Sequence, residues 1–161
     1  MSDAITVLRL QRKASVKRIL VLCTGNSCRS QIGEGYLRQY LGNRAEVYSA
    51  GVQPHGVNPH AIASMKADGI DISRQTSNHI NEYLQIQFDF VITVCDRANE
   101  QCPVFPGGAQ RLHHDFPDPA NARGSVEEIA SQFNDVRDQI KVFCKEFVAK
   151  NFSEIRQNPN R

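Results

Sequence analysis

A short apolar segment that leads directly into a loop of small and polar residues constrains the fold of this chain more than any other feature. Lys17–Leu22 contains a continuous apolar run of strand length, typical of a central parallel strand buried on both faces. The loop Cys23–Ser30 follows at once, and the next residues predict a helix over Ser30–Leu41 that ends at Gly42. A strand, a tight loop and a helix start in this order favour an α/β fold with an anion cradle at the helix N-terminus.

The rest of the chain alternates predicted strands with predicted helices. Strands are predicted at Ala45–Ser49, Phe88–Cys95 and Arg111–His113, and helices at about residues 59–68, at 77–84 and from Ser125 onward. Ser125 and Glu128 form a capping box at the start of the last helix. Apolar residues then recur every three or four positions, at Val126, Ile129, Phe133, Val136, Ile140, Phe143 and Phe147. The alternation predicts a parallel sheet with right-handed crossovers.

Length and composition are those of a single globular domain. The 161 residues predict an N-terminal extension at 1–15, one catalytic domain at 16–152 and a polar tail at 153–161. The net charge of +2 is too small to indicate a nucleic-acid partner. No apolar run approaches the length of a membrane span, and the start of the chain lacks a signal-peptide core. With an odd count of five cysteines, these features predict a cytoplasmic protein with reduced thiols.

The chemistry of the first loop points to a nucleophile beneath a bound oxyanion. The first N–H groups of a helix have no intrahelical partner, and the planar guanidinium of Arg29 matches two oxygens of a tetrahedral anion. The same field favours the thiolate form of Cys23, which implies attack on phosphorus or a similar atom. The predicted substrate-binding residues are Thr24, Gly25, Asn26, Ser27, Cys28, Arg29 and Ser30.

The remaining cysteines suggest a thiol relay. Cys95 ends a predicted strand, and Cys102 follows seven residues later in what is predicted to be a mobile loop. Cys95 would attack Cys23, and Cys102 would then attack Cys95 and carry the disulfide to the surface. The alternative is a buried Cys95 with Cys102 as a spectator, and the spacing disfavours zinc.

Two further cysteines have other predicted roles. Cys28 either pairs with Cys23 on oxidation or serves only as a spacer in the loop. Cys144 is predicted to lie in the core, because it falls on the apolar side of the last helix.

An oxygen leaving group needs a proton, and a carboxyl group near the cradle can supply it. Asp118, in the rigid segment Phe116–Pro119, is the predicted general acid, and Asp115 is the second candidate. The alternative for Asp118 is a turn aspartate before a proline.

The motifs described above, taken together, resemble the thioredoxin-coupled arsenate reductases. The residues that carry the resemblance are Cys23–Ser30, Ser49–Gly51, His55–Pro59, Cys95, Cys102 and Asp118–Pro119. These enzymes share the low-molecular-weight protein tyrosine phosphatase fold, so the resemblance implies a three-layer α/β sandwich around a four-stranded parallel sheet.

The resemblance also implies roles for individual residues. Cys23 would be the nucleophile, Arg29 the oxyanion binder and Asp118 the general acid. Cys95 and Cys102 would be the redox pair, with thioredoxin reducing their disulfide. Ser30 would donate a hydrogen bond to the Cys23 thiolate, and Asn26 would organise the loop, which would bind arsenate as a mimic of phosphate.

Some members of this family hold a structural monovalent cation. Asn26, Glu34 and Ser49 match three of its ligands, but Asn78 stands where an aspartate is expected. A neutral amide binds a cation less strongly than a carboxylate does, so the cation is in question, and no other cofactor is predicted.

Two alternative functions remain open from the sequence. One is a protein tyrosine phosphatase that uses only Cys23, Arg29 and Asp118. Its relatives carry aromatic residues beside the acid, whereas this chain has Ala120 and Asn121. The other is a non-enzymatic sensor of oxyanions or redox state.

Overall fold

The computed structural model describes residues 16–152 and contains four strands and four helices in alternating order. The strands are β1 (Lys17–Cys23), β2 (Ala45–Gly51), β3 (Phe90–Thr93) and β4 (Gln110–His113). The helices are α1 (Arg29–Leu41), α2 (Pro59–Ala67), α3 (Asp96–Glu100) and α4 (Val126–Asn151). The predicted extension at 1–15 and tail at 153–161 lie outside the described residues.

The strands form one parallel sheet in the order β2-β1-β3-β4. Leu22 of β1 lies beside Ala50 of β2 on one side and Thr93 of β3 on the other. The carboxyl ends of β1, β2 and β3 therefore meet at one edge of the sheet, where ligands bind in open α/β folds. The predicted four-stranded parallel sheet is confirmed.

Helices cover both faces of the sheet, which gives three layers. On the face that carries Val21, α1 and α4 pack against each other and α2 packs against both. On the opposite face, Tyr48 packs edge-on against Tyr83 and Phe88, and Phe88 packs edge-on against Phe105. Because both faces are covered, β1 is buried from Ile19 to Cys23, as its continuous apolar run predicts.

The longest helix follows its sequence pattern closely. Ser125 accepts a hydrogen bond from the Glu128 N–H at 3.1 Å, and the Glu128 carboxylate accepts one from the Ser125 N–H, so the capping box is confirmed. Most of the apolar stripe lies in the core, but Val126 is 76% exposed. Residues 123–128 are all exposed, so the first turn of α4 lies outside the core.

Three local predictions differ from the structure. The helix predicted at 77–84 is a single 3₁₀ turn over Ile80–Tyr83, and β3 is shorter than the apolar run Phe88–Cys95. The loop predicted after Cys95 is the short helix α3, whose fully buried Ala98 anchors it to the core. Among residues 16–152, no helix is both long enough and apolar enough to cross a bilayer.

Candidate active site

The candidate site lies where β1 ends and α1 begins. Cys23 is the last residue of β1, Arg29 is the first residue of α1, and the loop between them folds over the N-terminus of the helix. Gly51, at the end of β2, allows the loop to lie this close, because a Cβ there would come within 2.6 Å of the Thr24 carbonyl oxygen. A side chain at this position would push the loop away from the sheet.

The sulfur of Cys23 is buried and lies within a set of hydrogen bonds. The Asn26 N–H donates to Cys23 Sγ at 3.1 Å, and Ser30 Oγ lies 2.8 Å from the same sulfur. A thiolate can only accept, so Ser30 donates when the sulfur is ionised. Hydrogen bonds to a charged acceptor are the stronger kind, and they stabilise the nucleophilic form.

Asn26 holds the loop in shape. Its φ of 46° is left-handed, a conformation that asparagine tolerates better than most residues. Its Nδ2 donates to Ser30 Oγ at 2.8 Å and to Ser49 Oγ at 2.9 Å, and its Oδ1 accepts from the Asn78 N–H at 2.8 Å. Gln31 Nε2 donates to the Asn26 carbonyl at 2.9 Å, so every polar group of Asn26 is engaged.

A second segment runs along the outside of the loop. The N–H groups of Gln53, His55 and Asn58 donate to loop carbonyls at 2.8–3.0 Å, and the acceptors are Thr24, Gly25 and Ser27. Because these carbonyls turn outward, the backbone N–H groups of the loop turn toward the pocket. This arrangement is a backbone nest that suits an anion.

Arg29 and Asp118 lie close together in the lining of the same pocket. Arg29 Nη1 donates to the Phe116 carbonyl at 3.1 Å, and Arg29 Nη2 lies 3.6 Å from Asp118 Oδ2. The Arg29 side chain is only 10% exposed, whereas Asp118 is 36% exposed at the rim. The second candidate acid, Asp115, instead accepts from the Asp96 N–H at 3.1 Å, outside the pocket.

The pocket is lined by the loop, by residues 55–59 and by the segment that carries Asp118. Its volume is about 420 Å³, and its lining residues are Cys23, Thr24, Gly25, Ser27, Cys28, Arg29, His55, Gly56, Val57, Asn58, Pro59, Asp118 and Ala120. A nucleophilic sulfur, a nest of N–H groups, a guanidinium and a carboxyl group together can bind a tetrahedral oxyanion and attack its central atom.

The fold also brings a second thiol to this loop. Cys95 Sγ lies 3.3 Å from Thr24 Oγ1, next to the residue that bears the nucleophile. Both Cys23 and Cys95 are buried, and Cys102 is partly buried beyond the far end of α3.

The sequence from residue 18 to residue 158 matches the family described as Low molecular weight phosphotyrosine protein phosphatase. The chain belongs to this family. Proteins named arsenate reductase from Halalkalibacterium halodurans and Bacillus subtilis are each 50% identical over 131 residues, which cover 81% of this chain and 94% of the relative. The resemblance inferred from the motifs is confirmed.

Solved structures of the phosphatase family agree with the fold. A structure described as an arsenate reductase in the phosphate binding state aligns with a TM-score of 0.67 and 32% identity, covering 84% of this chain and 98% of that one. The tyrosine phosphatase Wzb from Escherichia coli K30, in complex with sulphate, aligns with a TM-score of 0.71 and 25% identity, with the same coverage. The predicted three-layer α/β sandwich is confirmed.

Two cysteines of this phosphatase-family chain are unsuited to ionise. Burial raises the pKa of the Cys28 thiol to about 12. Cys144 is buried in the core, as predicted, and burial raises the pKa of its thiol still further. Burial thus disfavours the Cys28 thiolate that would attack Cys23 on oxidation, which favours the spacer interpretation over the disulfide one.

The residues predicted to surround a cation are already bonded to one another. Ser49 Oγ donates to Glu34 Oε1 at 2.7 Å and accepts from Asn26, whose own oxygen accepts from the Asn78 N–H. Burial raises the pKa of the Glu34 carboxyl, and Arg38 Nε opposes this by donating to Glu34 Oε2 at 2.8 Å. This arrangement does not fit a cation well, and the predicted ion stays a prediction on which no step below depends.

Some contributors to the site were not identified from the sequence. Gln31 bridges the Asn26 and Thr76 carbonyls at 2.9 Å each, and the Phe116 carbonyl orients Arg29. A glutamine just inside a helix start could have been noticed. A backbone carbonyl 87 residues from its partner leaves no trace in a sequence.

Proposed function

We propose that this chain is an arsenate reductase that works through a nucleophilic cysteine and a disulfide relay. The observation that carries the proposal is the place of Cys95, whose sulfur lies 3.3 Å from Thr24 Oγ1 beside the Cys23 loop. A phosphatase needs one cysteine at this site, whereas a reductase needs a second thiol within reach of the first. The relatives at 50% identity that are named arsenate reductase support the same conclusion.

Arsenate binds in the loop as a tetrahedral dianion. The N–H groups at the start of α1 and the Arg29 guanidinium hold its oxygens, while Cys23 Sγ faces the arsenic from below. The Cys23 thiolate attacks arsenic and an As–O bond breaks. Asp118 donates the proton that lets the departing oxygen leave as water.

The relay then transfers two electrons to arsenic. The Cys95 thiolate attacks Cys23 Sγ, the S–As bond breaks, and its electron pair stays on arsenic, which leaves as arsenite. Cys102 attacks Cys95 in turn and releases the Cys23 thiolate. An external dithiol, which we take to be thioredoxin, reduces the Cys95–Cys102 disulfide, and such a cycle requires the reducing conditions of the cytoplasm.

Helix α3 has to unwind for the last internal step. Cys95 and Cys102 are seven residues apart, which is about two turns of helix, and a rise of 1.5 Å per residue places their Cα atoms about 10 Å apart. A disulfide requires Cα atoms within about 7 Å. The five-residue α3 is short enough to open at modest cost, since isolated helices of this length are unstable.

The same pocket also supports hydrolysis of aryl phosphates. Cys23, Arg29 and Asp118 are sufficient for that reaction, and water replaces Cys95 as the second nucleophile. Next to Asp118 the chain has Ala120 at the rim, which offers no aromatic contact to a phosphotyrosine ring. Aryl phosphate hydrolysis is therefore the secondary activity.

The decisive experiment compares the two activities in one variant. Cys102→Ser should abolish arsenate reduction driven by thioredoxin and thioredoxin reductase. Without the Cys102 thiol, the buried Cys23–Cys95 disulfide cannot be exchanged for the Cys95–Cys102 disulfide that thioredoxin reduces. Hydrolysis of p-nitrophenyl phosphate should stay within about twofold of the unmodified chain, because Cys102 lies outside the pocket.

Cys144→Ser is the matched control, since it removes a thiol that has no part in the relay. Arsenate turnover that survives Cys102→Ser would contradict the relay. Turnover absent from the unmodified chain, with phosphate hydrolysis present, would make the phosphatase the main activity.

A further inference from the structure

A row of side chains on β4 and its continuation contacts α3 from one side. Arg111, His113 and Asp115 alternate along the chain, so they project from the same face of the sheet. The extended pairing continues past β4, because the His114 N–H donates to the Thr93 carbonyl at 3.0 Å. The row therefore lies against the short helix between the two relay cysteines.

Two members of the row hold the first residue of α3. His113 Nε2 lies 2.7 Å from Asp96 Oδ1, and His113 Nδ1 lies 2.7 Å from Thr93 Oγ1. A carboxylate only accepts, so Nε2 carries the hydrogen. Asp115 Oδ1 accepts from the Asp96 N–H at 3.1 Å, so both the side chain and the backbone of Asp96 are engaged.

The third member holds the end of the helix near Cys102. Arg111 Nη2 and the Cys102 N–H both donate to the Asn99 carbonyl at 3.4 Å, which places the guanidinium close to this cysteine. Burial raises the pKa of the Cys102 thiol, and the charge of Arg111 opposes that effect.

We propose that Arg111, His113 and Asp115 form a positioning row that sets the thiol–disulfide equilibrium of Cys95 and Cys102. The inference rests on the proposed function in that it takes these two cysteines as the redox pair. The contacts of the row with Asp96 and Asn99 are made to the helical form of α3, and the disulfide requires α3 to be unwound. The row therefore stabilises the dithiol over the disulfide and keeps the pair reduced until Cys95 has reacted.

The test measures the equilibrium of the pair in the full chain. Glutathione redox buffers supply the reaction, in which one glutathione disulfide takes both hydrogens and becomes two glutathione thiols as the Cys95–Cys102 disulfide forms. Samples are acid-quenched and alkylated, and peptide mass spectrometry then gives the fraction of this disulfide.

His113→Ala should shift the equilibrium toward the disulfide by about threefold, as expected for one charge-assisted contact at a site where His113 is 30% and Asp96 69% exposed. Asp96→Asn should shift it in the same direction. The double variant should shift it little more than His113→Ala alone, because both changes break one contact. His113→Gln, whose amide still donates to Asp96, should restore most of the original value.

His114→Ala is the matched control. This neighbouring histidine stacks on Phe116 with ring centroids 4.2 Å apart, away from α3, so its removal should leave the equilibrium unchanged. Circular dichroism checks that each variant is folded. If His113→Ala does not fold, Asp96→Asn still breaks the same contact and decides the test.

Two results would overturn the inference: an equilibrium that is the same in Asp96→Asn, His113→Ala and the unmodified chain, or a Cys95–Cys102 disulfide that forms in no buffer. The measurement contains no arsenate. A failure of the proposed activity would instead appear as absent arsenate turnover alongside the expected redox shift.

Discussion

The sulfur of Cys23 and the hydroxyl of Ser30 belong to one directed chain of hydrogen bonds. Asn26 Nδ2 donates to Ser30 Oγ at 2.8 Å and so occupies an acceptor position on that oxygen. The Ser30 hydrogen is left to point at Cys23 Sγ, also 2.8 Å away. An amide thus orients a hydroxyl and the hydroxyl stabilises a thiolate, and all three residues are buried.

Removal of the Ser30 hydroxyl should therefore weaken the nucleophile. Ser30→Ala is expected to lower kcat for p-nitrophenyl phosphate by about tenfold or more, the effect of losing one hydrogen bond to a charged acceptor. The rate of Cys23 alkylation by iodoacetamide at neutral pH should fall in parallel. Both rates are measured beside Ser131→Ala, an equivalent change at an exposed position of α4. Unchanged rates in Ser30→Ala would show that the backbone N–H groups of the loop stabilise the Cys23 thiolate without the Ser30 hydroxyl.

Among the elements, α4 stabilises the fold without contacting the anion pocket. Ile140 is buried where α4 crosses α1, near Gly33, at which a Cβ would lie 3.9 Å from Ile140 Cγ2 and only 3.2 Å from Val21 Cγ1 of β1. Cys144 Sγ lies 3.9 Å from the Gly33 carbonyl, one turn further along α4. Ile140 and Cys144, one turn apart, therefore pack α4 against α1 at Gly33.

Two substitutions on α4 separate stability from chemistry. Ile140→Ala should lower the free energy of unfolding by about 2–5 kcal/mol, because a buried methyl-rich side chain leaves a cavity. Val142→Ala, at a position 54% exposed on the same helix, should change it by no more than about 0.5 kcal/mol. Urea denaturation measures both. The kcat of the folded Ile140→Ala protein should equal that of the parent, and a large loss of kcat would mean that α4 does influence the loop.

Across the whole molecule, one polar cluster joins three elements on the α1 and α4 face. Asp68, just after α2, accepts from Tyr36 Oη at 2.7 Å and from Lys141 Nζ at 2.8 Å. These residues belong to α1 and α4, so a single carboxylate ties three helices together. Hydrogen bonds from Lys141 and Tyr36 lower the pKa of the Asp68 carboxyl below its ordinary value.

This shift makes stability depend on pH in a defined direction. Asp68 binds its proton less readily in the folded chain than in the unfolded chain. The contribution of the Asp68 carboxylate to the free energy of unfolding is therefore complete above about pH 4–5. It is lost as the pH falls below about 4 and the folded carboxylate becomes protonated. Asp68→Asn should lower Tm by a few degrees at pH 7, and the difference from the parent should narrow below about pH 4.

Thermal unfolding followed by circular dichroism from pH 7 down to pH 3 is the measurement. Asp135→Asn, an exposed aspartate on α4, is the control and should follow the parent. A difference in Tm between Asp68→Asn and the parent that stays constant with pH would show that ionisation of the Asp68 carboxyl does not cause the difference.

The features determined by the sequence itself are those with a local cause. The apolar run of β1, the loop Cys23–Ser30 and the start of α1 are contiguous, so one stretch of chain specifies the cradle. The caps of α2 and α4 are equally local, since each is a side chain bonded to a backbone group two or three residues away. The four strands, the longer helices and the position of the nucleophile were predictable for this reason, whereas the short elements at Ile80–Tyr83 and Asp96–Glu100 were not.

Only the tertiary structure decided which distant groups meet the cradle. Thr24 and Cys95 are 71 residues apart in the chain, and Arg29 and the Phe116 carbonyl are 87 apart. Their contacts follow from the strand order β2-β1-β3-β4, which places the ends of β1 and β3 side by side. The row on β4 depends on the same order, because α3 follows β3 in the chain and β4 lies beside β3 in the sheet. Strand order is set by the packing of both faces of the sheet, and no local stretch of sequence contains that information.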